Sequence, residues 1–275
     1  MDEFLAKGWD DIAEAYQERY AVKISPIVYC PFGPTEDELN LLGDKKGKRI
    51  IDIGAGACQR AIYLAKNGSD VTAMDISRKQ LEIGKRLAER EGAKLTILPG
   101  DFQEINTYFE PETFDIAYST FALQYAKNIT ILGKTFRGIN AILKNGGIFA
   151  FSMDHPCRKG YWDENNNFIF DNYFDKTENQ WDYAFPESGV YGKFRGSCWT
   201  LSEMVNSFIQ SGFRLETILE PEPIKRDEVL DQFGVKSRYG EYSKKDAFLF
   251  EHLARVPGSV ILMGVKEKAG GFKLL

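Results

Sequence analysis

Residues 49–58, Arg49-Ile50-Ile51-Asp52-Ile53-Gly54-Ala55-Gly56-Ala57-Cys58, decide how this chain is read. The compact apolar run from Arg49 to Gly54 closes on a glycine and reads as a buried strand. Gly54 and Gly56 then let the backbone come close to a ligand at the carboxyl end of that strand, where open α/β sheets bind their ligands. By itself such a turn binds many things or only turns the chain. Spacing sharpens it. Asp75 closes a second strand, 23 residues after Asp52, where an acid accepts hydrogen bonds from a ribose diol or serves the helix N-terminus that follows. Asp101 follows Gly100 after a third strand and either meets an adenine amino group or caps the next helix. Three acids at the ends of three adjacent strands outline a nucleoside-shaped slot.

Outward from this stretch, short β-type runs alternate with helical patterns, which predicts a mostly parallel sheet covered by helices. Helices are expected at 3–19, 35–43, 58–67, 77–91, 128–143, 201–211 and about 241–254. Strands are expected at 49–54, 70–74, 94–98, 114–118, 148–152, 213–219 and 259–265. Thr200 with Glu203, and Thr35 with Glu38, have the capping-box spacing. The rhythm breaks at 154–199. Residues 161–199 hold twelve aromatics in 39 positions, against 13% aromatic over the whole chain, and read as hairpins. This segment forms either a wall for an apolar or aromatic ligand or a small extra core, and the two are compatible.

The 275 residues carry 35 Lys+Arg against 40 Asp+Glu. A net charge of −5 gives no overall basic field to draw in nucleic acid. The acidic N-terminus is unlike a signal peptide, and no apolar stretch reaches the ~18 residues of a membrane span. Cys30, Cys58, Cys157 and Cys198 have no C-x-x-C spacing, which suits the reduced thiols of a cytoplasmic protein. His155 and His252, far apart, do not make a histidine metal site, and no metal is expected.

The dinucleotide fingerprint needs a sixth-position glycine, and here Gln59 stands there. Asp52 is an unwelcoming neighbour for a pyrophosphate. A carboxylate suits a ligand with an ammonium or sulfonium, and S-adenosylmethionine has both beside a ribose and an adenine. At this point residues 9–152 resemble the class I S-adenosylmethionine-dependent methyltransferases, in particular the small-molecule, type 11-like group. Asp52 to Cys58 resembles the family's first motif, with Cys58 in place of a third glycine. The resemblance implies a Rossmann-like, seven-stranded sheet with helices on both faces and the last strand antiparallel. Residues 1–275 would form one methyltransferase domain, with 154–199 as a substrate-covering insertion after strand 5.

The resemblance also implies roles. Asp52, Gly54, Gly56, Asp75, Ile76, Asp101 and Phe102 would hold the cofactor, with Ser119, in the fourth-strand motif FDIAYSTFALQY, near its methionine end. Tyr16 lies in WDDIAEAY, which resembles the helix that covers the cofactor. The implied reaction is in-line transfer of the methyl group to an O, N or C nucleophile of a small molecule, leaving S-adenosylhomocysteine. His155, after the fifth strand, is the base candidate or else a structural residue of a His-Pro turn. Gln124, where many relatives carry histidine, and Tyr161, Trp162 and Trp181 are the substrate-side candidates. The alternatives are a tRNA or protein methyltransferase, a non-catalytic S-adenosylmethionine-binding protein, and an NAD-dependent oxidoreductase.

Overall fold

The computed structural model describes residues 1–20, 22–30, 32–163, 165, 167–170, 172–175, 178–185, 188–224 and 253–267, with backbone alone at 159, 161, 162 and 179. The anticipated helix near 241–254 and His252 fall almost wholly outside them.

The chain opens with helix α1 (Glu3–Tyr20) and a single turn α2 (Glu36–Leu39). That turn is shorter than the expected 35–43, because Asn40 adopts a left-handed conformation, φ +50°, and ends it. The alternating part follows as β1 (Arg49–Ile53), α3 (Gln59–Lys66), β2 (Asp70–Asp75), α4 (Arg78–Arg90), β3 (Thr96–Pro99), β4 (Phe114–Thr120), α5 (Ile129–Ile142) and β5 (Leu143–Asp154). After β5 come two hairpins, β6 (Tyr161–Trp162) with β7 (Phe168–Ile169) and β8 (Asn179–Phe185) with β9 (Val190–Gly196). Helix α6 (Leu201–Gln210), β10 (Phe213–Leu219) and β11 (Ser259–Lys266) complete the described elements.

Seven strands form one sheet in the order β10-β11-β5-β4-β1-β2-β3. β1, β2, β3, β4 and β5 pair in parallel, while β11 runs antiparallel to both β5 and β10. The expected Rossmann-like architecture with its antiparallel last strand is therefore what the chain adopts. Strand β5 begins at Leu143, five residues before the expected 148, so its pairing with β4 starts with Phe114 opposite Leu143 and breaks register before Ile116.

Local chemistry starts the helices where the sequence places them. Ser77 caps α4 by accepting from the Gln80 N–H at 3.1 Å, and Asn128 caps α5 through Ile131 at 2.9 Å. The Thr200–Glu203 capping box closes in both directions at 3.2 and 3.1 Å. The central strands are buried on both faces, as a sheet covered on both sides requires. Ala61, Ile62 and Leu64 of α3 and Leu81 and Ala88 of α4 cover one face. On the other, Phe136, Phe149, Phe151, Phe208 and Phe213 pack together, with Phe208 stacked on Phe213 at 4.6 Å.

A third apolar cluster joins α1 to the β8–β9 hairpin through Leu5, Ile12, Tyr20, Phe185 and Phe194. The two backbones nearly touch. A Cβ on Gly8 would lie 2.4 Å from the Lys193 carbonyl oxygen, and one on Gly192 would lie 2.5 Å from that of Gly8. Among the described residues no helix is long and apolar enough to cross a membrane.

Phe208→Ala removes a ring that touches four other buried phenylalanines. It is expected to lower the unfolding free energy by about 3–5 kcal/mol, read as a lower urea midpoint at unchanged slope.

Candidate functional site

A cavity of about 570 Å³ opens at the carboxyl ends of β1, β2, β4 and β5. Its floor is the turn after β1. The Gly54 and Ala55 N–H groups both donate to the Met74 carbonyl, at 2.8 and 3.0 Å, which pins the turn to the end of β2. Gly54 has φ +78°, and a Cβ there would sit 2.2 Å from the Ala122 Cβ. Only glycine meets both conditions. Gly56 has φ +54° and faces open space within the cavity wall. Cys58 turns away instead, its sulfur 2.6 Å from where a Cβ of Gly84 on α4 would be, so the missing third glycine leaves the cavity clear.

Two carboxylates flank this turn. Asp75 lines the cavity, and its oxygens accept from the Gly56 N–H at 2.7 Å and the Ser77 N–H at 2.8 Å. Burial pushes its pKa up to about 6 against the pull of these N–H groups, with Asp10 adding a smaller push. Asp52 is buried beneath the turn, 3% exposed. Burial pushes its carboxyl up to about 7, opposed by the Tyr118 hydroxyl and Arg60, while Asp75 adds to the push.

The cavity roof comes from α1. Gln59 donates to Gln17 at 2.7 Å, and Gln17 donates to Gln80 at 2.9 Å, so one amide relay ties α3, α1 and α4 together. Asp10 adds a second tie, accepting from the Ser77 hydroxyl at 2.6 Å. Tyr16 lines the cavity edge-on to Trp9, with ring centroids 5.6 Å apart. Ile76 and Phe102 line it from the β2 and β3 sides.

Asp52 lies beneath the turn and not in the cavity wall, and three further predicted residues also stand elsewhere. Ser119 donates to the Ile53 carbonyl at 2.8 Å and is buried between β4 and β1. Asp101 takes its capping role, accepting from the Gln103 N–H, and accepts from the Asp2 N–H, each at 2.9 Å. Its neighbours Gly100 and Phe102 line the cavity, and Asp101 does not. His155 is buried outside the cavity. Its Nδ1 accepts from the Cys157 N–H at 3.1 Å, which leaves Nε2 to donate to Glu220 at 2.7 Å. Both ring nitrogens are engaged, as in the structural reading of the His-Pro turn. Burial holds its pKa below the usual histidine value, against the pull of Glu220.

The residues on either side of His155 do face the cavity. Asp154 and Arg158 line it and form an ion pair across the turn. Gln124 and Trp181, the substrate-side candidates, line the same half, and the Gln124 Oε1 is buried there without a hydrogen-bond partner among the described residues. Tyr125 stands 6.0 Å from Trp181 between ring centroids. Burial first, then the Asp154 charge, hold its phenol well above the usual tyrosine range. Tyr161 and Trp162 pair with Ile169 and Phe168 in the small first hairpin, and their side chains lie outside what the structure describes.

Sequence reasoning missed the Gln17–Gln59–Gln80 relay and the Asp154–Arg158 pair. The relay had one visible signal, a glutamine where a dinucleotide site needs glycine. The pair had none, since residues four apart meet only once the turn after β5 has its shape.

Residues 51–151 match the family model described as a methyltransferase domain. Among curated proteins, the uncharacterized methyltransferase YbaJ of Bacillus subtilis is 28% identical over 64% of this chain and 63% of its own. The ubiquinone biosynthesis O-methyltransferase of Vibrio cholerae is 27% identical over 42% of this chain and 45% of its own. The chain thus spans less than two thirds of either relative. Among solved structures, an S-adenosylmethionine dependent methyltransferase from Mesorhizobium loti shares the fold with a TM-score of 0.60 at 22% identity, over 83% of this chain and 95% of that one.

Asp52 binds its proton more tightly in the folded chain than in the unfolded one. Stability therefore falls as pH rises from about 4 to about 7. Asp52→Asn is expected to raise the unfolding free energy at pH 8 by about 1–3 kcal/mol and by less than half as much at pH 5. Urea unfolding at the two pH values checks this, and an equal effect at both would remove the buried charge as its cause.

Proposed function

We propose that this class I S-adenosylmethionine-dependent methyltransferase moves a methyl group onto a small-molecule acceptor held in the aromatic half of its cavity. The observation that carries the reading is a single cavity with two unlike halves. One is a glycine cradle flanked by the buried Asp52 and the half-buried Asp75, and the other is walled by Trp181 and Tyr125.

The first half fits the cofactor. Asp52, below the turn, favours an ammonium or sulfonium over a pyrophosphate. Asp75 accepts one backbone N–H at each oxygen, and a carboxylate oxygen has a second lone pair for a ribose hydroxyl. Gly56 leaves the space that close backbone approach needs, and Ile76, Phe102 and Tyr16 bound the slot for an adenine. When bound, S-adenosylmethionine supplies a methyl carbon on a sulfonium, and S-adenosylhomocysteine is the product. The chain's own part is to align the acceptor with that carbon and exclude water, and such alignment is worth effective molarities of ~10⁵–10⁸ M. The β8–β9 hairpin and α1 close the cavity together, which supports the insertion at 154–199 as a cover over the acceptor. Gln59 donates to Gln17 where a dinucleotide site needs a bare glycine, and this weighs against NAD. The acidic net charge weighs against a tRNA acceptor. The cytoplasm, where S-adenosylmethionine and reduced thiols are found together, is the proposed location.

Thermal unfolding with S-adenosylmethionine, S-adenosylhomocysteine or NADH tests the cofactor. A ligand at 100 times its Kd adds about 2.7 kcal/mol, a rise of several degrees at this length. The rise is expected with the two adenosyl ligands alone and is expected to vanish in Asp75→Ala. A rise with NADH alone would refute the reading. Incubation with methyl-labelled S-adenosylmethionine and a fractionated cell extract tests the acceptor. Label belongs in the small-molecule filtrate, and label in RNA or protein instead would assign the chain to macromolecules.

The cationic ligand favours ionised Asp52, so binding below about pH 7 should release protons. Calorimetry at pH 6.5 in two buffers of different ionisation enthalpy should show that release, and affinity should rise with pH up to about 7.

A further inference from the structure

Strand β5 delivers Asp154 to the cavity while His155 turns to Glu220, and the short turn at Pro156–Lys159 brings Arg158 back beside Asp154. The Arg158 Nη1 donates to Asp154 Oδ1, and the two side chains keep 23% and 27% of their surface exposed. They therefore meet the cavity as an ion pair that solvent and ligand reach. A guanidinium offers five N–H donors and a carboxylate about four lone-pair sites, so the pair can hold a ligand atom as well as each other. Around it stand flat walls. Trp181 lies 31° from the plane of Tyr125 and 27° from that of Phe194, at 6.0 and 6.2 Å. Trp9 meets Tyr125 edge-on at 5.8 Å. The Gln124 Oε1, buried in the same half without a partner among the described residues, calls for a ligand donor.

Building on the methyltransferase reading, we propose that the acceptor is a planar aromatic or enolic hydroxyl compound, with Asp154 taking the hydroxyl proton and Arg158 holding the oxygen. A flat ring uses the tryptophan and tyrosine faces. A hydroxyl oxygen is the atom that such a pair serves at both stages, donating to the carboxylate before reaction and accepting from the guanidinium as its charge grows. An amine is served worse, because its nitrogen gains positive charge as it attacks and Arg158 opposes that charge. The step balances. The acceptor O–H bond breaks and its proton moves to Asp154, an oxygen lone pair forms the bond to the methyl carbon, and the carbon–sulfur electron pair stays on sulfur. The sulfonium thereby becomes the thioether of S-adenosylhomocysteine, and Asp154 afterwards returns the proton to solvent.

The test uses the full chain with S-adenosylmethionine and two probe series, substituted phenols of graded acidity ending at 4-nitrophenol, and the matching anilines. Initial rates come from S-adenosylhomocysteine formation, and binding is measured calorimetrically on S-adenosylhomocysteine-loaded protein. The phenols should bind and turn over, and the anilines should not. Arg158→Gln should raise KM about tenfold or more with a smaller change in kcat. Asp154→Asn should leave KM within a few-fold and lower kcat by ~10²–10⁴, with the smallest loss for the most acidic phenols, which need the base least. A merely structural role gives no such dependence on phenol acidity. Melting temperature and S-adenosylhomocysteine affinity of both variants should match those of the parent, which shows that fold and cofactor half are intact. Anilines preferred to phenols, phenols neither bound nor methylated by protein that binds S-adenosylhomocysteine, or an Asp154→Asn variant of full rate would each overturn this assignment and leave the cofactor reading standing. Failure to bind S-adenosylhomocysteine at all would remove the cofactor reading and this inference with it.

Discussion

The whole site depends on how closely the turn after β1 approaches the ends of β2 and β4. Two N–H groups of that turn share the Met74 carbonyl, a third meets the Asp75 carboxylate, and Gly54 lies where any Cβ would strike Ala122. This contact makes a floor of backbone rather than side chains, so a ligand can lie against it. It also brings Asp75 close enough to Asp52 to raise the proton affinity of that buried carboxyl, and it starts α3 on the line that delivers Gln59 to the roof.

The roof has its own logic. Helix α1 is amphipathic, and its apolar side needs a partner. It finds one in the β8–β9 hairpin, where Gly8 and Gly192 let helix and strand backbones meet. Polar ties then set its position over the sheet, through the glutamine relay and the Asp10–Ser77 bond. The aromatic-rich segment is consequently both a small core and a cavity wall. Phe185 and Phe194 are buried against α1, whereas Trp181, 38% exposed, faces the cavity from the same hairpin. Trp181, Phe185 and Phe194 share one face of the hairpin, since 181 and 185 lie an even number of residues apart and Trp181 pairs with Phe194, and α1 covers only part of that face.

Asp154 and His155 part at the end of β5. Met153 and Asp154 both line the cavity, whereas His155 lies past the last strand residue and caps the turn Pro156–Lys159, which takes its ring to Cys157 and Glu220. Nothing in Ser152-Met153-Asp154-His155-Pro156 says which way that ring turns, because its Glu220 partner lies 65 residues on. Ser119 and Asp101 differ from expectation for related reasons. Each has a nearby backbone partner, the Ile53 carbonyl for one and the Gln103 and Asp2 N–H groups for the other. A short polar side chain with such a partner at hand takes it.

The sequence alone determined the strand-and-helix alternation, the glycine turn with Asp52 and Asp75, the α6 capping box and the antiparallel closing strand. All but the last rest on local causes: apolar periodicity, conformations that favour glycine, and side-chain oxygens reaching N–H groups a few residues away. The last strand's direction came from family resemblance. Tertiary structure alone decided which side chains share the cavity. The Asp154–Arg158 pair, the Gln17–Gln59–Gln80 relay and the turning away of His155 depend on strand register and on how α1 and the hairpin pack over the sheet. Those are contacts between residues far apart in the chain or across a turn, and they exist only once the layers have closed.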